Sequence, residues 1–271
     1  MREKEEKKEK LKAIVSNIIC NNNSILDVIS KSNRKFIVTI NSDKNSRGSK
    51  SNCHVILGTQ NLITLSKLCN DFCNKFSLEL KIDRNVFNYI SNDDIYIETY
   101  DLKEEELENI KFLDGEKIGP SEYLSICAIA FTLYHEFGHV MYDDDFIFPI
   151  EKERKADIFA LDIVKKKFSE NPRIKIDQSP YLLGAILDTC LILEVCDPVL
   201  TEVSTTHPHP IERLYLMLEY FHIEPNSYLW QFVYDVVVSW INKHHISNTF
   251  EKDSSKSLKD KILDAYLRFK K

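Results

Sequence analysis

Two histidines four residues apart enclose a glutamate in the run His135-Glu136-Phe137-Gly138-His139. On a helix, residues i and i+4 share a face with Cβ atoms about 5–6 Å apart, so two imidazoles at this spacing can reach one tetrahedral metal. Glu136 is rotated one helical step from His135, beside the metal's open position, where a carboxylate serves as general base rather than ligand. Phe137 then points back into the core, and Gly138 leaves room for close packing against the cleft floor. The chemistry indicated is that of a zinc-dependent hydrolase. The bland alternative is an amphipathic helix whose histidines are merely hydrogen-bonded. Against it stands the strongly apolar run from Tyr123 to Tyr134 that leads into the motif. Burying two histidines and a glutamate with no task is expensive.

Two histidines do not complete a site, so a third ligand is expected. A metzincin pattern requires Gly at position 142 and His at 145, but the chain has Tyr142 and Asp145. The other solution takes a glutamate from a following helix, and Glu151-Lys152-Glu153-Arg154-Lys155-Ala156-Asp157 offers one. Glu153 and Asp157 share a helical face. Glu153 can therefore bind metal while Asp157 accepts the free N–H of an imidazole. Ala156 lets the two helices approach. Glu151 and Asp145 are the alternative third ligands. A later segment, Thr206-His207-Pro208-His209-Pro210-Ile211-Glu212-Arg213, adds His207 and Arg213. Near a metal, both can stabilise the oxyanion formed when a peptide carbonyl is attacked. Away from one, they are a surface histidine and an arginine paired to Glu212 or another acid.

These side chains need a scaffold. Short β-branched runs at Lys35–Ile40, His54–Leu57 and Ile95–Thr99 predict strands, with the polar stretch Asn41–Asn52 as a hairpin loop. Apolar residues at helical spacing from Leu62 to Phe76 predict a helix between them. From Pro120 the pattern turns helical: Pro120–Met141, stopped by Asp143-Asp144-Asp145; Ile150–Phe168, closed by Asn171-Pro172; a helix from Pro180 ending before Asp197-Pro198; then Ile211–Phe221, Tyr228–Lys243 and Leu258–Lys270. The expected fold class is α+β and mainly helical. A mixed α/β unit over residues 1–117 precedes a helical metallopeptidase core over 118–271, or the two form one continuous domain. Residues 1–12, dense in Lys and Glu, read as a solvated helix or frayed tail.

Bulk properties limit the function further. With 271 residues, 43% hydrophobic and 29% charged, the chain can bury a substantial core. A formal charge of -6 without a basic stripe argues against a nucleic-acid partner. Seven cysteines without repeating spacing do not form a disulfide framework, and Cys69 and Cys73 read as buried thiols rather than a zinc pair. Neither long apolar stretch, Tyr123–Tyr134 or Tyr181–Cys196, reaches the ~20 residues of a membrane span. No signal-peptide pattern follows Met1. The expectation is a cytoplasmic protein with at most peripheral membrane contact, through an amphipathic helix such as Tyr228–Trp240.

Together, HEFGH, Glu153-x-x-x-Asp157 and Thr206-His207-Pro208 followed by Arg213 resemble the HtpX-like and CAAX prenyl endopeptidases among the gluzincins. Those are integral membrane proteins, and this chain lacks their spans. The lead-in Cys127-Ala128-Ile129-Ala130 and the short gap to Glu153 are more similar to the Lit-type phage-exclusion peptidases. The likeness covers about residues 121–215. It implies a zincin-type catalytic core in which His135, His139 and Glu153 bind Zn2+, Glu136 is the catalytic base, Asp157 supports a ligand, and His207 and Arg213 line the cleft. It also implies a protein substrate, a translation elongation factor, with a phage-derived activator as a further partner. An extended substrate would pair with a sheet edge, expected at Ile95–Thr99. Two rivals stand beside this reading. A regulatory gluzincin of the ImmA-like group, cleaving a repressor, would carry Ala-Asn where this chain has Ala156-Asp157. A zinc-stabilised binding module would have no turnover.

Overall fold

The computed structural model describes residues 2–32, 35–42, 47–49, 53–77, 80, 82, 88–114, 118–142, 148–170, 173–195, 207–246 and 255–269. The fold is α+β and mainly helical, with one four-stranded sheet. Its elements are α1 (Arg2–Cys20), α2 (Asn23–Ser32), β1 (Phe36–Asn41), β2 (Arg47–Ser49), β3 (His54–Gly58), α3 (Thr59–Phe76), β4 (Ile95–Tyr100), α4 (Glu104–Asn109), α5 (Pro120–Tyr142), α6 (Pro149–Ser169), α7 (Pro180–Val195), α8 (Pro210–Tyr220), α9 (Tyr228–Lys243) and α10 (Leu258–Phe269). Four of these helices begin on proline, which is preset for the first turn and lacks the N–H that would go unpaired there. The expected stop signals Asp143–Asp145, Asn171-Pro172 and Asp197-Pro198 lie outside the described residues.

The charged N-terminus is only the outer half of α1. Its Lys and Glu residues pair along the helix, as in Lys12–Glu9 at 2.7 Å. The helix then continues to Cys20 and buries Leu11, Ile14, Val15 and Ile19 completely. Of the two expectations for residues 1–12, a solvated helix or a frayed tail, the structure shows the helix, anchored through its second half.

The sheet corrects a larger expectation. Strand order is β2-β3-β1-β4, and β1 runs parallel to both β3 and β4. The stretch after β1 therefore is not a hairpin loop joining two antiparallel neighbours. Within that stretch lies β2, which is antiparallel to β3 with Gly48 opposite Val55. A period-2 pattern marks a strand and its buried face but not its partner, so the sequence left this pairing open. Phe36, Val38 and Ile40 of β1 face inward, and Phe36 stacks on Phe137 of α5 with ring centroids 6.0 Å apart.

Helix α5 is the spine. Every residue from Tyr123 through Gly138 is buried, because α3, α6, α7 and strands β2 and β3 surround it. An all-round apolar helix is stable only when enclosed in this way. Helix α9 turns Leu229, Trp230, Val233, Val237 and Ile241 toward the core, so its amphipathic stripe is spent inside the fold. No helix among the described residues is long and apolar enough to cross a membrane. Most buried apolar residues from Leu11 to Tyr266 form one large cluster, beside a small one of Leu65, Ala128 and Leu191.

Candidate metal centre

Four elements deliver the site. His135, Glu136 and His139 come from the C-terminal half of α5, and Glu153 and Asp157 from α6. Arg213 comes from α8, and His207 precedes that helix. The crossing of α5 and α6 is unusually close. A Cβ built on Gly138 would lie 2.7 Å from the Ala156 Cα, so both small residues are needed where the helices touch. Gly138 and Ala156 are thus partners, which is what lets Glu153 reach the histidines.

The three donor groups fit a metal ion. His135 Nε2 and His139 Nε2 are 3.0 Å apart, and they lie 3.4 Å and 3.3 Å from Glu153 Oε2 and Oε1 respectively. Bonds of about 2.0–2.1 Å in a tetrahedron give ligand–ligand edges of about 3.3–3.4 Å. The two histidine–glutamate separations match such edges, and the histidine–histidine separation is somewhat shorter. His135, His139 and Glu153 could hold a metal ion, and no other such group of three occurs among the described residues. Of the alternative third ligands, Glu151 is turned to Arg154 at 2.6 Å, and Asp145 lies outside the described residues.

Asp157 supports the cluster from behind. Its Oδ1 accepts from His135 Nδ1 at 2.9 Å, which leaves Nε2 directed at the metal position. Arg213 grips the same carboxylate with Nε to Oδ2 at 2.8 Å and Nη2 to Oδ1 at 2.5 Å. The 3.4 Å approach of Arg213 Nη2 to His135 Nδ1 is then two donors side by side on one oxygen, not a bond between them. Only 9% of the Arg213 side chain is exposed. Arg213, expected to line the cleft, is buried with its guanidinium on Asp157. His207 does face outward, with 66% of its side chain exposed and Nε2 3.2 Å from Glu153 Oε1.

Electrostatics agree with a site built for a cation. Burial alone pushes the His135 imidazole down, but hydrogen bonds to Asp157 and Glu153 outweigh it and raise it to about 10. Burial likewise favours neutral Glu153, yet its bonds to His135 and His139 hold the carboxyl well below the usual range. Asp157 is also held low, because the Arg213 charge overcomes burial. Burial raises Glu136, and although its Oε2 is buried it has no hydrogen-bond partner in the protein.

A further buried acid, Asp188 of α7, accepts from Thr132 Oγ1 at 2.9 Å, and burial pushes it up to about 6. In the sequence Asp188 is only a charged residue within the apolar stretch Tyr181–Cys196. Its one available signal was that α7 contains no other charge before Glu194. Burial raises the Cys69 and Cys73 thiols to about 12 and about 11, and neither belongs to a group of three potential metal ligands among the described residues. The strand Ile95–Thr99 is an edge, as expected, but not the edge at the site. A Cβ on Gly48 would lie 2.3 Å from the Glu136 carbonyl oxygen, so β2, at the opposite side of the sheet, rests on the motif.

No curated protein and no solved structure matches this chain. A family does: the sequence pattern of Peptidase U49 matches residues 106–233, a little under half of the chain. The matched stretch contains His135, Glu136, His139, Glu153, Asp157, His207 and Arg213, and this similarity supports a peptidase.

Proposed function

We propose that the protein is a zinc-dependent endopeptidase in which His135, His139 and Glu153 hold the metal and Glu136 is the general base. One observation carries this reading: a buried carboxylate oxygen without a protein partner, Glu136 Oε2, lies on the helix step between two histidines that meet a glutamate at tetrahedral edge distances. Zinc, when bound, supplies a Lewis acid that polarises the scissile carbonyl and lowers the pKa of a water to roughly 7. Glu136 takes the proton of the attacking water on Oε2 and delivers it to the leaving amine as the C–N bond breaks. Asp157 keeps the His135 Nδ1 proton in place and so fixes the tautomer. His207 is the outward imidazole beside Glu153 and is assigned the oxyanion contact. Arg213 acts through Asp157. An extended substrate reaching Glu136 passes β2 rather than β4.

Resemblance to the Lit-type peptidases supports a single host protein as substrate. On that reading it is a translation elongation factor, cut in the cytoplasm when a phage-derived partner activates the enzyme. The deciding experiment compares wild type with Glu136→Gln for bound zinc and for new protein N-termini in cells. Glu136→Gln should retain zinc and lose cleavage by at least about a hundredfold. Cleavage at the wild-type rate by this variant would sink the assignment. Cleavage of a repressor rather than an elongation factor would move the protein to the regulatory peptidases.

A further inference from the structure

Helices α6 and α8 meet at the metal centre through ion pairs of opposite polarity. Helix α6 contributes the anion Asp157 to Arg213 and, one turn earlier, the cation Arg154 to Glu212. Arg154 Nη2 donates to Glu212 Oε1 at 2.8 Å, and its Nη1 donates to Glu151 Oε1 at 2.6 Å. Glu212 is only 5% exposed, while about a third of the Arg154 side chain, 34%, meets solvent. Further along the same helices, the Tyr220 hydroxyl donates to Asp162. Each inner residue is the chain neighbour of a site residue: Arg154 follows Glu153, and Glu212 precedes Arg213.

We propose that Arg154 and Glu212 are a positioning pair for the metal centre, setting the register of α8 on α6 that holds Arg213 on Asp157 and thereby orients the His135 ring. Opposite polarity is what gives the pair this power. If α8 slid along α6 one way, Arg213 would approach Arg154, and if it slid the other way, Glu212 would approach Asp157; either is a like-charge contact that opposes the shift. A buried Glu212 without its cation is strongly disfavoured, so the pair holds together or the helices separate. The inference rests on reading His135 and Glu153 as metal ligands. It assigns Arg154 and Glu212 no contact with substrate.

The test uses the full chain with Arg154→Ala, Glu212→Gln and the charge swap Arg154→Glu/Glu212→Arg. Two readouts are taken: zinc affinity by competition with a chelator, and the Nδ1–H resonance of His135 in 15N-histidine-labelled apo protein, assigned by its loss in Asp157→Asn. Each single variant should lose about tenfold in affinity and broaden that resonance while melting cooperatively, and the swap should recover most of both. Folded single variants with wild-type affinity and resonance overturn the proposal, as does a folded swap no better than the singles. Where a single variant loses its fold, the swap decides alone: near-wild-type values support the pair and loss of both overturns it. Wild-type protein that binds no zinc overturns the metal reading instead, and the apo resonance still answers for the pair.

Discussion

His207 and His209, two residues apart, occupy opposite environments. His207 stands in solvent beside Glu153, whereas His209 is buried, caps α8 by accepting the Ile211 N–H on Nδ1 at 3.2 Å, and packs on Trp240. Burial lowers His209 from 6.5 to about 4. Between those values the unfolded chain binds more protons than the folded one. The contribution is therefore complete above about pH 6.5 and is lost as pH falls toward 4, by at most roughly 3 kcal/mol. His209→Asn keeps a capping oxygen and should flatten this part of the profile in urea melts between about pH 4.5 and 7. An unchanged slope would assign the acid sensitivity elsewhere. Metal removal is a second expectation at this scale: chelation should lower the melting temperature and added zinc restore it, since the ion binds the folded donor set and not the unfolded chain. The motif made His135, Glu136 and His139 legible from spacing alone, and Glu153 with Asp157 followed from a shared helical face. The difference between His207 and His209 was not legible, because Pro208 and Pro210 frame both alike and only the docking of α8 on its neighbours separates them.

At the scale of elements, the site depends on how closely α5 and α6 cross. Gly138→Ala places a methyl group against the Ala156 backbone, which cannot yield as a flexible side chain would. The expected cost is about 1–3 kcal/mol. The displaced α6 should also weaken zinc binding on the order of tenfold, because Glu153 no longer spans the two imidazoles. Thermal melts and a zinc titration on this variant check both numbers, and wild-type affinity would show that the crossing has slack. Helix starts were readable because Pro120, Pro180 and Pro210 announce them, and the strands were readable from their β-branched runs. Strand partners were not. The parallel pairing of β1 with β3 and the antiparallel pairing of β2 depend on contacts with α5, nearly ninety residues downstream.

At the scale of the molecule, one hydrophobic core joins what the sequence divides near residue 117. A fragment of residues 118–271 would expose the α5 surface that β2, β3, α3 and Phe36 of β1 cover, and it is expected not to fold cooperatively. Circular dichroism melts of that fragment against the full chain test this, and a sharp transition in the fragment would favour two units over one continuous domain. The single feature with the longest reach is Gly48, whose backbone rests against the Glu136 carbonyl from a strand laid down far earlier in the chain. It gives the centre a timetable. During synthesis the sheet emerges first and waits for its helix, His139 follows, and Arg213 comes 74 residues later, roughly 4–15 s at ordinary translation speeds. For most of that interval the histidines and Asp157 exist without Arg213, so the nascent chain is spared a finished centre until 213 of its 271 residues have been joined.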